Sequence, residues 1–252
     1  MTRAAVVTGG SSGIGAAVAA RLATAGAQVL IADIRPPATG LPYQRTDVRD
    51  PSQVQAAFDA AEQRFGRVDT AVLSAGLATT IGHTPETMDF EEYHRLVDVN
   101  VHGVVHGIRS ATAALKRAGG GGIVALASLA GITPAVGDPF YSMTKFAVVG
   151  LVRTLGPQLA ADGIALNAVC PGFVDTPMVD PLRAGFAAQD FPLISVQTVV
   201  DVILNAAGAE GGHGECWLIQ PGHPPAPYRF RGVPGANRDG EVLRVPAPEQ
   251  VR

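Results

Sequence analysis

The sequence is short of several things, and each shortage excludes something. Only two of its 252 residues are cysteine, Cys170 and Cys216, far apart and at no metal-ligand spacing. They read as two buried thiols in a reducing compartment, and nothing in the sequence pairs them as a disulfide. Charge is sparse, with 16% charged residues and a net charge of −3. That balance gives no ground for a nucleic-acid partner or an anionic membrane surface. No apolar run approaches the roughly 20 residues of a membrane span. No leader of basic then apolar residues opens the chain, so the cytoplasm is the expected location. Disorder is excluded by the 47% of residues that are hydrophobic, enough for one sizeable α/β domain.

Glycine, by contrast, is plentiful at 30 residues. The stretch Thr8-Gly9-Gly10-Ser11-Ser12-Gly13-Ile14-Gly15 follows an apolar strand-like run at 4–7 and precedes a helical pattern at 16–25. A glycine turn between strand and helix lets backbone N–H groups approach a phosphate, and the helix N-terminus favours its charge. Strand and helix patterns then alternate. Strands are expected at 28–32, 43–46, 69–73, 123–127, 164–169 and 215–219. Helices are expected at 51–65, 89–117, 141–161 and 196–207, the first announced by Asp50-Pro51 and the third interrupted by Pro157. This predicts a single doubly wound Rossmann-type domain, a seven-stranded, mostly parallel sheet with helices on both faces. From Pro221 the composition turns Pro- and Arg-rich without periodicity. We therefore divide the chain into a domain over 1–222 and an arm over 223–252, carrying Tyr228, Phe230, Arg229, Arg231, Arg238, Arg244 and Arg252. Such an arm either covers a neighbouring subunit or active site, or hangs loose.

Several residues suggest chemistry. Asp33 ends the second strand 20 residues after Gly13. There a carboxylate accepts both ribose hydroxyls of an adenosine and repels a 2′-phosphate, favouring NAD over NADP. Arg35 is the one basic counterweight. Tyr141 and Lys145 lie four apart, on one helix face. A nearby ammonium lowers a phenol from about 10 toward working pH, making Tyr141 a candidate acid/base for an alcohol–ketone interconversion. Ser128 stands at the carboxyl end of the fifth strand, where open α/β sheets collect ligands. Asn100 sits inside a helical pattern that it does little to favour. His102 and His106 are also four apart, but no third ligand accompanies them and no metal is expected.

Taken together, these features resemble the classical short-chain dehydrogenases/reductases over about residues 4–222. Thr8 to Gly15 fits the family's TGxxxGxG, and Asn100, Ser128, Tyr141 and Lys145 match its catalytic tetrad. The resemblance implies an NAD site formed by Gly9, Ser11, Ser12, Gly13, Ile14, Gly15, Asp33, Asp47, Val48, Ser74, Ala75, Gly76, Tyr141, Lys145, Pro171, Gly172, Val174 and Thr176. Two places depart from the family. Leu73-Ser74-Ala75-Gly76 stands where Asn-Ala-Gly is usual, and Gln220-Pro221-Gly222 where Val-Asp-Gly-Gly is frequent.

The resemblance further implies an NAD-dependent oxidoreductase acting on a secondary alcohol or its ketone, assembled as a homotetramer or homodimer through the 101–115 and 146–159 helices. Met178, Val179, Leu182, Phe186, Phe191 and Leu193 make the 173–194 segment an apolar lid. Leu77, His83, Pro134, Ala135, Val136 and Phe140 belong to loops at the same mouth. The substrate is therefore expected to be moderately hydrophobic. The rival reading is a catalytically silent dinucleotide sensor on the same fold. The filled tetrad argues against it.

Overall fold

Five residues, Ala4–Thr8, form strand β1, and all are buried. A strand so enclosed has no solvent face, as in parallel sheets covered by helices on both sides. The computed structural model describes residues 3–79, 84, 86–135, 137–208, 211–232, 234–238 and 241–243. His83, Val136, Arg244 and Arg252 lie outside the described residues, as does the side chain of Arg238.

β2 (Gln28–Asp33), β3 (Tyr43–Arg45), β4 (Thr70–Leu73), β5 (Gly121–Leu126), β6 (Ile164–Pro171) and β7 (Cys216–Ile219) join β1 in a parallel sheet of order β3-β2-β1-β4-β5-β6-β7. The order reverses between β1 and β4. The crevice outside the carboxyl ends at such a point is where these sheets bind ligands.

The sheet has an eighth strand that the sequence reading lacks. β8 (Ala226–Pro227) runs antiparallel to β7 at the edge. It is only two residues long, and its proline is tolerated because an edge strand can do without one ladder N–H. Tyr228 then donates its N–H to the Cys216 carbonyl at 2.8 Å. The arm also carries a separate pair, β9 (Ala236–Arg238) with β10 (Glu241–Leu243).

Strand residues alternate between two core layers. Val6, Leu73, Ile123, Ala125, Leu166 and Ala168 face one layer, under α2 (Pro51–Phe65), α4 (Gly103–Ala118) and α5 (Pro139–Leu159). Val7, Val72, Val124 and Val169 face the other, under α1 (Gly13–Thr24) and α7 (Val196–Ala206). α3 (Phe90–Val97) precedes α4, and α6 (Arg183–Ala188) lies in the 173–194 segment, the expected lid.

The single helix expected at 89–117 is three segments. Between α3 and α4, residues Asp98–His102 form a π-helical turn that contains Asn100. An extra residue per turn shifts the side chains out of α register, which is why such turns gather at functional sites. Helix α5 starts before Tyr141. Asp138 caps it by accepting the Tyr141 N–H at 3.1 Å, and Pro139 occupies the first turn.

Candidate active site

The glycine turn is built by close approach. A Cβ on Gly15 would lie 2.3 Å from the Gly9 carbonyl oxygen, and one on Gly9 (φ +65°) would lie 2.7 Å from the Ala75 backbone. Helix α1 can therefore begin directly against the end of β1. Its N-cap, Ser12, makes no side-chain capping bond, so the first-turn N–H groups remain open to an anion. Ser74 stands beside this turn, its Oγ 3.0 Å from where a Gly15 Cβ would be. Thr176, at the base of the lid, lies 3.8 Å from a Cβ position on Gly13. The cradle, the β4 end and the lid base therefore meet at one place, a fit for a dinucleotide pyrophosphate.

Asp33 is 7% exposed. Its carboxylate accepts the Ser11 N–H and the Arg35 N–H, each at 3.0 Å. Ser11 Oγ donates to the Arg35 carbonyl at 2.6 Å. Asp33 thus shapes the turn, and a carboxylate has lone pairs beyond the two these N–H groups use. Asp47 is occupied differently, gripping Arg49 at 2.6 Å, and that guanidinium holds its carboxyl below the usual range. Val48 is buried against α4, and its carbonyl oxygen lies 2.9 Å from His106 Nδ1.

The four chemistry-bearing residues converge at the carboxyl ends of β4 and β5. Lys145 Nζ donates to the Leu126 carbonyl at 2.9 Å and sits 5.5 Å from the Tyr141 ring centroid. Asn100 and Lys145 flank Gly76, with Oδ1 and Nζ at 3.5 and 3.7 Å from its Cβ position. Ser128 Oγ accepts the Ala130 N–H at 3.1 Å and stands near enough to the Tyr141 phenol to influence its titration. Asn100 is fully buried and donates from Nδ2 to the Leu77 carbonyl and to Thr144 Oγ1.

Electrostatics in the chain alone differ from the expectation. Burial pushes the Tyr141 phenol up to about 12. The Ser128 hydroxyl opposes this, and Asp138 and Cys170 add to the rise. Burial likewise brings Lys145 down to about 8. The ammonium lies over the tyrosine ring, and desolvation outweighs the expected lowering of the phenol.

Pro171 ends β6 and Gly172 follows it, the Gly172 N–H donating to the Ile219 carbonyl at 3.0 Å. Gln220, one of the family departures, packs its side-chain oxygen 2.6 Å from a Cβ position on Gly172. A parallel bridge between Val174 and Ile194 closes the base of the lid. Above it, Phe186 packs on Phe173 and Phe191 with ring centroids at 4.7 and 5.2 Å. Phe173, Met178 and Phe191 are each more than 40% exposed, an apolar surface left open on the lid. His102 pairs with Asp98 at 3.0 Å, and among the described residues no three metal-ligating side chains cluster. Cys170 and Cys216 are free thiols. Sequence reasoning named Leu77 only as a mouth residue and missed Thr144, the Leu126 carbonyl and Asp138. The first three act through partners distant in sequence, whereas the Asp138-Pro139 pair repeats the signal at Asp50-Pro51.

Sheet order, switch point and glycine cradle define a Rossmann-type dinucleotide-binding protein. Residues 3–186 match the family model for short chain dehydrogenase, and the chain belongs to that family of oxidoreductases. It is 36% identical over 197 residues to the cis-4-hydroxycyclohexanecarboxylate dehydrogenase of Sinomonas cyclohexanicum, covering 74% of this chain and 79% of that protein. It is 36% identical over 187 residues to a 3-alpha-(or 20-beta)-hydroxysteroid dehydrogenase of Mycobacterium bovis, covering 71% of each. Among solved structures, the 3-ketoacyl-(acyl-carrier-protein) reductase of Brucella melitensis complexed with NADH superposes with a TM-score of 0.79 at 26% identity, over 87% of this chain and 97% of that one.

Proposed function

We propose that this protein is an NAD-dependent dehydrogenase that interconverts a moderately hydrophobic secondary alcohol and its ketone. The observation that carries the reading is the grouping of Ser128, Tyr141, Lys145 and Asn100 at the strand ends, across from the glycine cradle. A bound oxidised nicotinamide would supply the hydride acceptor. Ser128 Oγ holds the substrate oxygen. Tyr141 Oη takes the hydroxyl proton as the carbon–hydrogen bond breaks. Lys145 supplies the positive charge that favours phenolate. The second lone pair of Asn100 Oδ1 suits a water that relays the proton onward. Asp33 supports NAD over NADP, since a 2′-phosphate would meet its carboxylate.

The lid phenylalanines favour a substrate with an apolar body and no large anionic group. The two relatives named above are dehydrogenases of hydroxylated compounds built on rings, a cyclohexanecarboxylate and a steroid, which supports a ring-containing substrate for this chain as well. Val105 on α4 and Met143 and Phe146 on α5 are each 42–43% exposed, and this apolar face supports pairing of copies into a dimer or tetramer. No described helix is long and apolar enough to cross a membrane. We place the enzyme in the cytoplasm, without a nucleic-acid or membrane partner. A panel of cyclic and open-chain secondary alcohols, offered with NAD or NADP and followed by absorbance of the reduced cofactor, tests the proposal. Turnover with NAD on an apolar alcohol is expected. Activity confined to phosphorylated or coenzyme A substrates would contradict it.

A further inference from the structure

Between Ser128, just past the end of β5, and the start of α5 the chain makes a loop, and one hydroxyl that no step above uses ties that loop together. Ser142 follows Tyr141 directly and is only 6% exposed. Its Oγ donates to the Ala130 carbonyl at 2.6 Å, a buried bond across 12 residues, and accepts the Ala135 N–H at 3.4 Å. Serine inside a helix commonly turns its hydroxyl back to the preceding turn. Ser142 instead fastens the outgoing and returning limbs of the loop to the start of the helix.

The turn that carries Ser128 leaves a carbonyl for it. Ser128 caps the turn, its Oγ accepting the Ala130 N–H at 3.1 Å. The Ser128 and Leu129 carbonyls accept the Gly131 and Ile132 N–H groups, each at 2.9 Å. The Ala130 carbonyl is met from outside the turn, by Ser142. Next to it, Gly131 lies so close to α5 that a Cβ there would be 2.5 Å from the Lys145 carbonyl oxygen. Main chain rests on main chain at this contact, and the hydrogen bond beside it fixes how one slides on the other.

Helix α5 thus holds the main chain on both sides of Ser128. Lys145 Nζ grips the Leu126 carbonyl, two residues before it, and Ser142 Oγ grips the Ala130 carbonyl, two residues after it. Lys145 also belongs to the expected NAD site, which has a second claim on its ammonium. Ser142 has no such second claim, so its bond is the one free to persist through a catalytic cycle.

We propose that Ser142 is a positioning residue: its buried hydroxyl sets the separation of Ser128 Oγ from Tyr141 Oη by fastening the turn that bears the serine to the helix that bears the tyrosine. This rests on reading Ser128 and Tyr141 as the groups that hold the substrate oxygen and take its proton. Both must meet the same oxygen, and a displacement of about 1 Å in such a pair costs on the order of a hundredfold in rate. Alanine at 142 would suit the helix at least as well as serine. It would leave the buried Ala130 carbonyl without its donor, and the turn would then have to move to find another.

The test uses the full chain with Ser142→Ala, Ser142→Thr and Val152→Ala. Val152 is buried in the core under the same helix, and its truncation costs stability without removing either Ser142 bond. Amide hydrogen exchange is read by NMR at Ala130 and Gly131, relative to Ala127, whose N–H donates to the Val169 carbonyl on β6 at 2.9 Å. In Ser142→Ala both are expected to exchange about tenfold faster relative to Ala127, and Ser142→Thr, which keeps the hydroxyl, restores most of the protection. Val152→Ala is expected to leave the ratio unchanged. With NAD and the best alcohol of the panel, cyclohexanol included, kcat in Ser142→Ala falls about tenfold while KM for NAD stays within about twofold, since the glycine cradle is untouched. Val152→Ala keeps its kcat despite a lower melting temperature. An unchanged exchange ratio in Ser142→Ala, faster exchange with kcat intact, or an equal loss of kcat in Val152→Ala overturns the proposal. If the wild-type protein oxidises no alcohol, the dehydrogenase reading fails, and the exchange ratio still decides whether Ser142 holds the Ser128 turn.

Discussion

Asn100 and Leu77 grip each other in both directions. Asn100 Oδ1 accepts the Leu77 N–H at 2.8 Å, and Asn100 Nδ2 donates to the Leu77 carbonyl at 2.9 Å. One side-chain amide thus satisfies both main-chain groups of the residue that follows Gly76, and it ties the π turn to the end of β4. Asn100→Ala should therefore destabilise the protein by about 2–4 kcal/mol, because three hydrogen bonds are lost and main-chain groups are left without partners. Thr144→Val removes one of those bonds and should cost about 1 kcal/mol. Urea denaturation of both variants measures the difference, and equal costs would contradict the clamp.

Burial acts on the two titrating groups of the site in opposite senses. Lys145 is brought from 10.5 to about 8, so between those values the unfolded chain holds a proton that the folded chain has released. Stability contributed by this group therefore rises as pH climbs through that window. Tyr141 is raised from 10.0 to about 12, so between those values the folded chain holds the extra proton and stability falls. Lys145→Met removes the first effect alone. The stability gap between wild type and variant should change by on the order of 2 kcal/mol in favour of wild type between pH 7 and pH 10. Parallel pH profiles in urea melts of the cofactor-free proteins would contradict the assignment.

Two glycines make opposite predictions. On Gly15 a methyl group would press into the Gly9 carbonyl at 2.3 Å, whereas on Gly150 it would meet nothing within 4 Å. Gly15→Ala should lose about 1–3 kcal/mol from overpacking and weaken NADH binding at least about tenfold. Gly150→Ala, on the outer face of α5, should gain about 0.5–1 kcal/mol from helix propensity. Thermal melts and NADH fluorescence titrations check both.

The proposed function gives Asp33 a double duty that one substitution separates. Asp33→Ser removes the charge proposed to face an adenosine ribose, so the NAD/NADP ratio of kcat/KM should fall by at least about tenfold. It also weakens the Ser11 and Arg35 anchors, so the melting temperature should fall with it. A lower melting temperature with an unchanged cofactor ratio would leave Asp33 a turn former and nothing more.

The sheet was legible because its strands are buried on both faces. All eight residues of β6 are buried, and a run such as Ile164 to Val169 has no competing reading once helices flank it. Helix α2 was legible because Asp50 does what its position suggests, accepting the Ser52 N–H at 2.8 Å. The π turn was not, because its flanking residues keep ordinary right-handed helical dihedrals and composition carries no mark of the extra residue. The two residues of β8 are too few for any alternation. In the site, residue types pointed to Tyr141, Lys145, Ser128 and Asn100, but not to what holds them. Leu77 lies 23 residues from Asn100, so their pairing leaves no local pattern. The expected lowering of the Tyr141 phenol failed because spacing reports proximity along a helix and says nothing of desolvation.

The most direct test of the account is Tyr141→Phe. The wild-type protein and the variant are compared with NAD and the best alcohol of the panel, and NADH binding is measured on both. The phenyl ring preserves the packing of this part of α5 and removes only the hydroxyl proposed to take the proton. The account predicts turnover below roughly a few per cent of wild type, since general acid–base catalysis contributes about a hundredfold or more, with NADH affinity within about twofold. A variant that keeps substantial turnover would contradict it.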